Sequence, residues 1–142
     1  MMKLLVTALA LCLGLVAGFS NNEFVNPAHK NFACQNLYPK HEPFEPQTGA
    51  NPYSLTVTDA PGGKQVTISG DSFKGFILQA SSGSFSSPSH PVINVGCPQG
   101  ATIRQKGAGV KNSFSVLWVG SGPVSFKGSV VKEWVEFYKV SA

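Results

Sequence analysis

The feature that most constrains the fold is a series of short runs in which apolar and polar residues alternate. Apolar residues that share one face of their run include Leu55, Val57, Val66, Ile68, Phe114, Val116 and Trp118. Turn-forming residues such as those of 59–63 separate the runs. Seven or eight short strands joined by turns predict an all-β chain folded as an antiparallel β-sandwich.

The segment before residue 53 has a different character, because prolines recur through it. They are Pro27, Pro39, Pro43, Pro46 and Pro52. Proline lacks a backbone N–H, so it disfavours long helices and interrupts sheet ladders. We therefore expect residues 19–52 to form an irregular N-terminal arm over the sandwich, tied down by Cys34.

The N-terminus has the pattern of a secretory signal peptide. Lys3 precedes an apolar run over 4–17, and the small residue Gly18 follows it. We expect cleavage after Gly18, with Ser20 as the next choice, leaving residues 19–142 as a single domain. The alternative is an uncleaved signal anchor. Since no second apolar run of spanning length occurs, the mature chain is expected to be extracellular.

The charge balance is mildly basic. The full chain has a formal net charge of +4, and loss of residues 1–18 removes Lys3 and leaves +3. Such a charge does not imply nucleic acid binding, but it permits weak attraction to anionic surfaces.

Two cysteines remain after the predicted cleavage, because Cys12 leaves with the signal peptide. Cys34 and Cys97 can form a single pair, and an oxidising compartment favours a disulfide between them. It would close a loop of about 60 residues and stabilise the fold by about 4 kcal/mol. Two free buried thiols are the alternative.

No constellation for catalysis, metal or cofactor binding is evident. His29, His41 and His90 lack ligand-like spacing, and none is paired with an obvious nucleophile. Glu133 and Glu136 suit an exposed edge better than acid–base chemistry. Phosphate-loop and dinucleotide patterns are also absent from the sequence. We therefore expect a binding protein without enzymatic activity, metal or cofactor.

Several motifs along the chain match one known family. Residues 52–57, 66–70 and 71–80 read PYSLTV, VTISG and DSFKGFILQA. Further matching positions are Cys34, Pro39-Lys40-His41, Gly83-Ser84-Phe85, Cys97, Trp118, Phe126 and Val130-Val131. Together, over roughly residues 27–138, they resemble the reeler domain.

The resemblance implies an immunoglobulin-like sandwich. Reeler domains occur in large matrix proteins and membrane reductases, and alone behind a signal peptide in small defence proteins of arthropod body fluid. This chain has the second layout, so the resemblance implies a role in innate immunity. Members of that group are described as binding microbial surfaces.

The stretch SFKGFILQA places a lysine and a glycine inside an apolar strand. A β-bulge at Gly75 would shift the alternation, so that Lys74 could reach solvent while its neighbours pack. A purely structural, snorkelling lysine is one interpretation, and membership of a ligand-binding basic face is the other. The residues expected to form the structural core of the fold are Phe73, Gly75, Phe76, Leu78, Trp118 and Phe126.

Basic residues dominate the middle of the chain, whereas the acids lie nearer its ends. The candidate ligand-binding residues are Lys74, Arg104, Lys106, Lys111 and Lys127. Arg104 and Lys106 are two positions apart, so in a strand they would share a face. Such a face could attract phosphates or sulfates. An ordinary solvated surface is the alternative.

These observations favour a secreted, monomeric binding protein. The first hypothesis is an innate-immune protein that binds lipopolysaccharide, teichoic acid or glucan and contributes to antibacterial defence. The second is an extracellular matrix module that binds heparin-like glycans. A membrane-active antimicrobial is disfavoured, because no strongly cationic amphipathic segment occurs.

Overall fold

The computed structural model describes residues 26–142, so the predicted signal peptide lies outside the described residues. This part of the chain forms one helix and nine strands. They are α1 (Pro27–Asn36), β1 (Tyr53–Ala60), β2 (Gly63–Gly70), β3 (Gly75–Ala80), β4 (Ser84–Ser86), β5 (Val92–Val95), β6 (Ala101–Gln105), β7 (Phe114–Val119), β8 (Phe126–Glu133) and β9 (Glu136–Ser141). In the described part, no helix is long and apolar enough to cross a membrane.

The strands form two antiparallel sheets. One has four strands in the order β1-β2-β7-β4, and the other has five in the order β5-β6-β3-β8-β9. The predicted antiparallel sandwich is therefore confirmed. The three-residue strand β4 was not predicted, because the Ser/Gly/Pro segment around it resembles a loop.

The main core lies between the sheets and is built from the alternation that the sequence shows. Val66 and Ile68 of β2 pack inward together with Phe114, Val116 and Trp118 of β7. The predicted core residues Phe73, Gly75, Phe76, Leu78, Trp118 and Phe126 are all buried. Trp118 also donates from its indole Nε1 to the carbonyl of Ser82 at 2.6 Å, which satisfies its one polar atom.

The described part of the N-terminal arm begins with a helix, which the prolines of this segment did not predict. Pro27 is compatible with it, because at the first helical position the missing N–H has no intrahelical partner to lose. The Asn26 side chain caps the helix by accepting from the Ala28 N–H at 2.9 Å. After the helix ends, the arm is irregular as far as β1, as expected.

The arm covers the outer face of the five-stranded sheet. The predicted disulfide links Cys34 of α1 to Cys97, which follows the edge strand β5. At the opposite edge, Tyr38 stacks on Phe137 of β9 with ring centroids 5.9 Å apart. Between these anchors the arm crosses the sheet, where outward-facing residues such as Ile77 are buried. The four-stranded sheet has no such cover among the described residues.

Candidate functional site

The five basic candidates lie in different environments. The first of them, Lys74, forms an ion pair. Its Nζ donates to Glu133 Oε2 at 2.8 Å, and the side chain is half-buried. The Lys74 N–H donates to the carbonyl of Val131 at 2.9 Å, and Val131 also pairs with Gly75. Two residues thus oppose one, as at a β-bulge. The bend brings Lys74 to the protein surface, where its ammonium is paired with the carboxylate of Glu133.

Gly75 leaves room for a side chain on the adjacent strand. A Cβ at this position would lie 2.7 Å from Gln105 Nε2. The other amide atom, Gln105 Oε1, accepts from the Phe76 N–H at 2.9 Å. The β6 backbone pairs with β3 only from Ile77 onward. The Gln105 side chain therefore supplies the acceptor that the Phe76 N–H does not find in the β6 backbone. The glycine in the stretch SFKGFILQA therefore has a structural reason.

Arg104 is buried and does not contribute to an accessible basic surface. It lies on β6 opposite Ile77, on the face covered by the arm, and is 8% exposed. Its Nε donates to the Gln105 carbonyl at 3.3 Å. Lys106, by contrast, lies beyond the end of β6 and is exposed. The expectation that Arg104 and Lys106 share an accessible face is therefore wrong, because the strand ends between them.

Lys111 is also buried, and its ammonium group is fully hydrogen-bonded to the backbone. Nζ donates to the carbonyls of Lys74 at 3.0 Å, Gly107 at 3.1 Å and Gly109 at 2.8 Å. An ammonium has three N–H donors, so none remains for a ligand. Burial lowers the pKa of Lys111 below its usual range. Its backbone forms a two-bond bridge with Phe73, which further fixes the loop.

Lys106 and Lys127 are exposed but lie at opposite ends of the five-stranded sheet. Lys106 follows β6 at the end where Gly75 begins β3, whereas Lys127 pairs with Gln79 near the other end. The five candidates therefore do not assemble into the basic face that the sequence suggested.

A surface pocket of about 380 Å³ lies at the end of the sandwich beside Lys106. It is lined by His90, Pro91 and residues of the loop 106–111, and its surface is mostly apolar. The Lys106 N–H donates to the Pro91 carbonyl at 3.0 Å, which joins the two walls. Nδ1 of His90 lies 3.0 Å from Oγ of Ser89.

The four-stranded sheet presents a different surface, which we call the hydroxyl face. Its Ser and Thr residues are exposed or half-exposed, and they are Ser54, Thr56, Thr58, Thr67, Ser69, Ser84, Ser86 and Ser115. Across the strands Thr56 pairs with Thr67, and Thr67 pairs with Ser115. Gln65, Leu117 and Val119 complete the face. In the described strands of this sheet, no charged side chain belongs to it.

The sequence itself contains a signal for the hydroxyl face. The alternation that predicted inward apolar residues in 53–58 and 65–69 also places Ser or Thr at most of the outward positions. Because neighbouring strands pair in register, these hydroxyls form rows about 4.8 Å apart. Only the pairing of β2 with β7, which is not evident from the sequence, brings Ser115 into the same array.

The histidines make local contacts within the described part of the chain. Within residues 26–142, no three His, Cys, Asp or Glu side chains gather as metal ligands. His41 instead stacks on Trp134, with ring centroids 3.4 Å apart, and its Nδ1 lies 2.8 Å from the Trp134 carbonyl. Burial is the largest influence on the His41 pKa and lowers it.

Comparisons with known proteins agree with the architecture. The family model described as "Reeler domain" matches residues 32–142. The chain is similar to the crystal structure of the human F-spondin reeler domain (fragment 1), with a TM-score of 0.54 and 20% identity over 70% of this chain and 87% of that one. It is also similar to the crystal structure of the Reelin-N domain of F-spondin, with a TM-score of 0.56 and 20% identity over 79% and 90%. At this identity, both structures support the fold alone. No curated protein matches the chain.

Proposed function

The chain belongs to the reeler domain family, and we propose that it is a secreted innate-immune binding protein that recognises neutral polysaccharide, of the β-glucan type, on microbial surfaces. Of the polymers considered from the sequence, glucan is the one without charge. The single observation that carries this choice is the hydroxyl face. It is open, uncharged and regular, whereas three of the five basic candidates are buried or ion-paired.

The chemistry of the hydroxyl face matches a polyhydroxylated ligand. Each Ser or Thr hydroxyl offers one donor and two acceptor sites, and sugar hydroxyls offer the same. A single hydrogen bond of this kind contributes about 0.5–1.5 kcal/mol, so useful affinity requires several at once. An array of hydroxyls on one sheet, with Thr67 near its centre, can engage a polymer at several points. The interaction involves no counterion release and should tolerate salt.

Other occupants of the hydroxyl face fit less well. Four short strands about 4.8 Å apart present roughly 400 Å², which is about half of the 800 Å² that each partner buries in a standard protein interface. A stable dimer through this surface is therefore disfavoured. Its aliphatic residues are restricted to Leu117 and Val119 at one side, which gives a membrane little to bind.

A charge in the middle of the hydroxyl face tests the proposal. Thr67→Glu should reduce retention on insoluble β-glucan at least tenfold, because a buried or desolvated carboxylate has no cationic partner on this face. Gln99→Glu provides a matched control, since residue 99 is exposed in the turn before β6. Thermal unfolding of both variants checks that the fold is kept.

The same assay distinguishes the competing polymers. Retention of the wild-type protein on glucan that persists at high salt and is lost in Thr67→Glu supports the proposal. The second candidate is a matrix module that binds sulfated chains, and the exposed Lys106 and Lys127 favour it. That function predicts retention on heparin beads that salt abolishes and that Thr67→Glu leaves unchanged. Equal glucan retention by wild type and Thr67→Glu would overturn the assignment of this face.

A further inference from the structure

The pocket at the end of the sandwich has the size of a small-ligand site and is separate from the hydroxyl face. Its volume of about 380 Å³ lies within the range of about 300–1,000 Å³ that is usual for ligand sites. Val110 is 67% exposed at its rim, and Pro91 and the glycine backbones of the loop 106–111 add further apolar surface. Such walls suit a hydrocarbon group.

The polar side chains around this pocket are cationic or can donate hydrogen bonds. Lys106 is exposed at the pocket. Among residues 26–142, no carboxylate forms an ion pair with its ammonium. Lys111 brings a second positive charge to the pocket wall, held in place by three carbonyls. The imidazole of His90 lines the same pocket, and none of the lining residues has a carboxylate. An anionic group is therefore the charged group that this site would accept.

We propose that this pocket binds an anionic amphiphile, with its alkyl chain against Pro91 and Val110 and its carboxylate or phosphate against Lys106. Lys106 supplies the direct contact, because the ammonium of Lys111 has no free donor and acts through its charge. Desolvation disfavours the Lys111 ammonium, and a bound anion nearby compensates for that cost. The same chemistry occurs in a free fatty acid and in an anionic membrane lipid.

The site can be blocked without disturbing its frame. A Cβ at Gly109 would meet nothing within 4 Å, so Gly109→Leu should place a side chain at the pocket without a clash at the backbone. Lys106→Gln removes the cation at the surface, and Lys127→Gln is its matched control at the other end of the sheet. None of these changes removes a residue from the core between the sheets.

Binding of decanoate to the full mature protein, measured by calorimetry below the micellar concentration, tests the proposal. We expect binding by the wild type and by Lys127→Gln, a loss of at least tenfold in affinity for Gly109→Leu and Lys106→Gln, and no comparable binding of decanol. A second arm uses sedimentation with phosphatidylglycerol or phosphatidylcholine vesicles. If monomeric decanoate fails to bind but phosphatidylglycerol vesicles bind with the same dependence on Gly109 and Lys106, the ligand is a membrane lipid and the site stands.

Other outcomes overturn the proposal. Equal affinities of wild type and Gly109→Leu would place the ligand elsewhere, and tight decanol binding would remove the role of Lys106. Failure of both decanoate and vesicles to bind would show that the pocket takes no anionic amphiphile. Thr67→Glu, on the hydroxyl face, should leave decanoate binding unchanged, so failure of the glucan proposal and failure of this one are separable.

Discussion

At the scale of single residues, lysine ammonium groups donate hydrogen bonds to backbone carbonyls or form ion pairs within the fold. Lys111 is the clearest case. Its ammonium connects the bend at Lys74 to the loop carbonyls of Gly107 and Gly109. In this way a loop without regular structure is fixed against the start of β3. A charged residue in a sequence is therefore weak evidence for a charged surface, since its three donors can satisfy carbonyls that would otherwise lack partners.

Replacing Lys111 by methionine should destabilise the fold. The thioether keeps much of the side-chain volume but leaves three carbonyls without their donor, and each unsatisfied buried group costs about 1–3 kcal/mol. We expect the free energy of unfolding to fall by at least about 2 kcal/mol. Urea denaturation measures it, with Lys106→Met in the same loop as the control. Equal stabilities of the two variants would contradict the structural role of Lys111.

At the scale of elements, a histidine contributes contacts to the docking of the N-terminal arm. His41 stacks on Trp134 of the β8–β9 turn and makes an edge contact with Phe137. Burial and, to a lesser extent, the nearby His29 lower the His41 pKa, while the hydrogen bond with the Trp134 carbonyl opposes them. The folded protein consequently binds a proton at this site less well than the unfolded chain does.

This shift predicts that acid weakens the docking of the arm. Since the folded pKa is below the ordinary value of 6.5, the contribution is fully present above that pH and is lost as the pH falls through the folded pKa. His41→Phe keeps a ring on Trp134 but cannot titrate. Between neutral pH and about pH 5, we expect the thermal midpoint of the wild type to fall further than that of the variant. Parallel falls in the two proteins would show that His41 is not the group responsible.

The elements also show what the sequence could and could not predict. Alternation identified the strands containing Leu55, Val66 and Trp118, because an inward residue at every second position is a local property. The location of Arg104 depends on the arm that crosses β6, and that of Lys74 depends on Glu133, which is distant in sequence. Tertiary contacts of this kind leave no periodic pattern. The basic face was predicted from the spacing of basic residues along the sequence. Tertiary packing does not bring those residues together on one accessible surface.

At the scale of the whole molecule, the two sheets differ in what covers their outer faces. The five-stranded sheet is covered by the arm. The arm buries Phe137 and Ile77, which form a second apolar layer outside the main core. The hydroxyl face of the four-stranded sheet is open among the described residues. The arm and the hydroxyl face are on opposite sides of the sandwich. Loss of the arm should therefore leave the proposed glucan surface intact.

The disulfide allows this separation to be tested. In the double variant Cys34→Ser/Cys97→Ser the cross-link over 63 residues is lost, which should lower the free energy of unfolding by about 4 kcal/mol. The arm should then detach before the sandwich unfolds, since its anchor at β5 is gone while both sheets keep their hydrogen bonds. We expect faster proteolysis within residues 26–52 and stronger binding of a hydrophobic dye, as Phe137 and Ile77 become accessible. Retention on β-glucan should match the wild type below the unfolding temperature. Loss of glucan retention together with arm cleavage would instead show that the arm, and not the hydroxyl face, carries the binding.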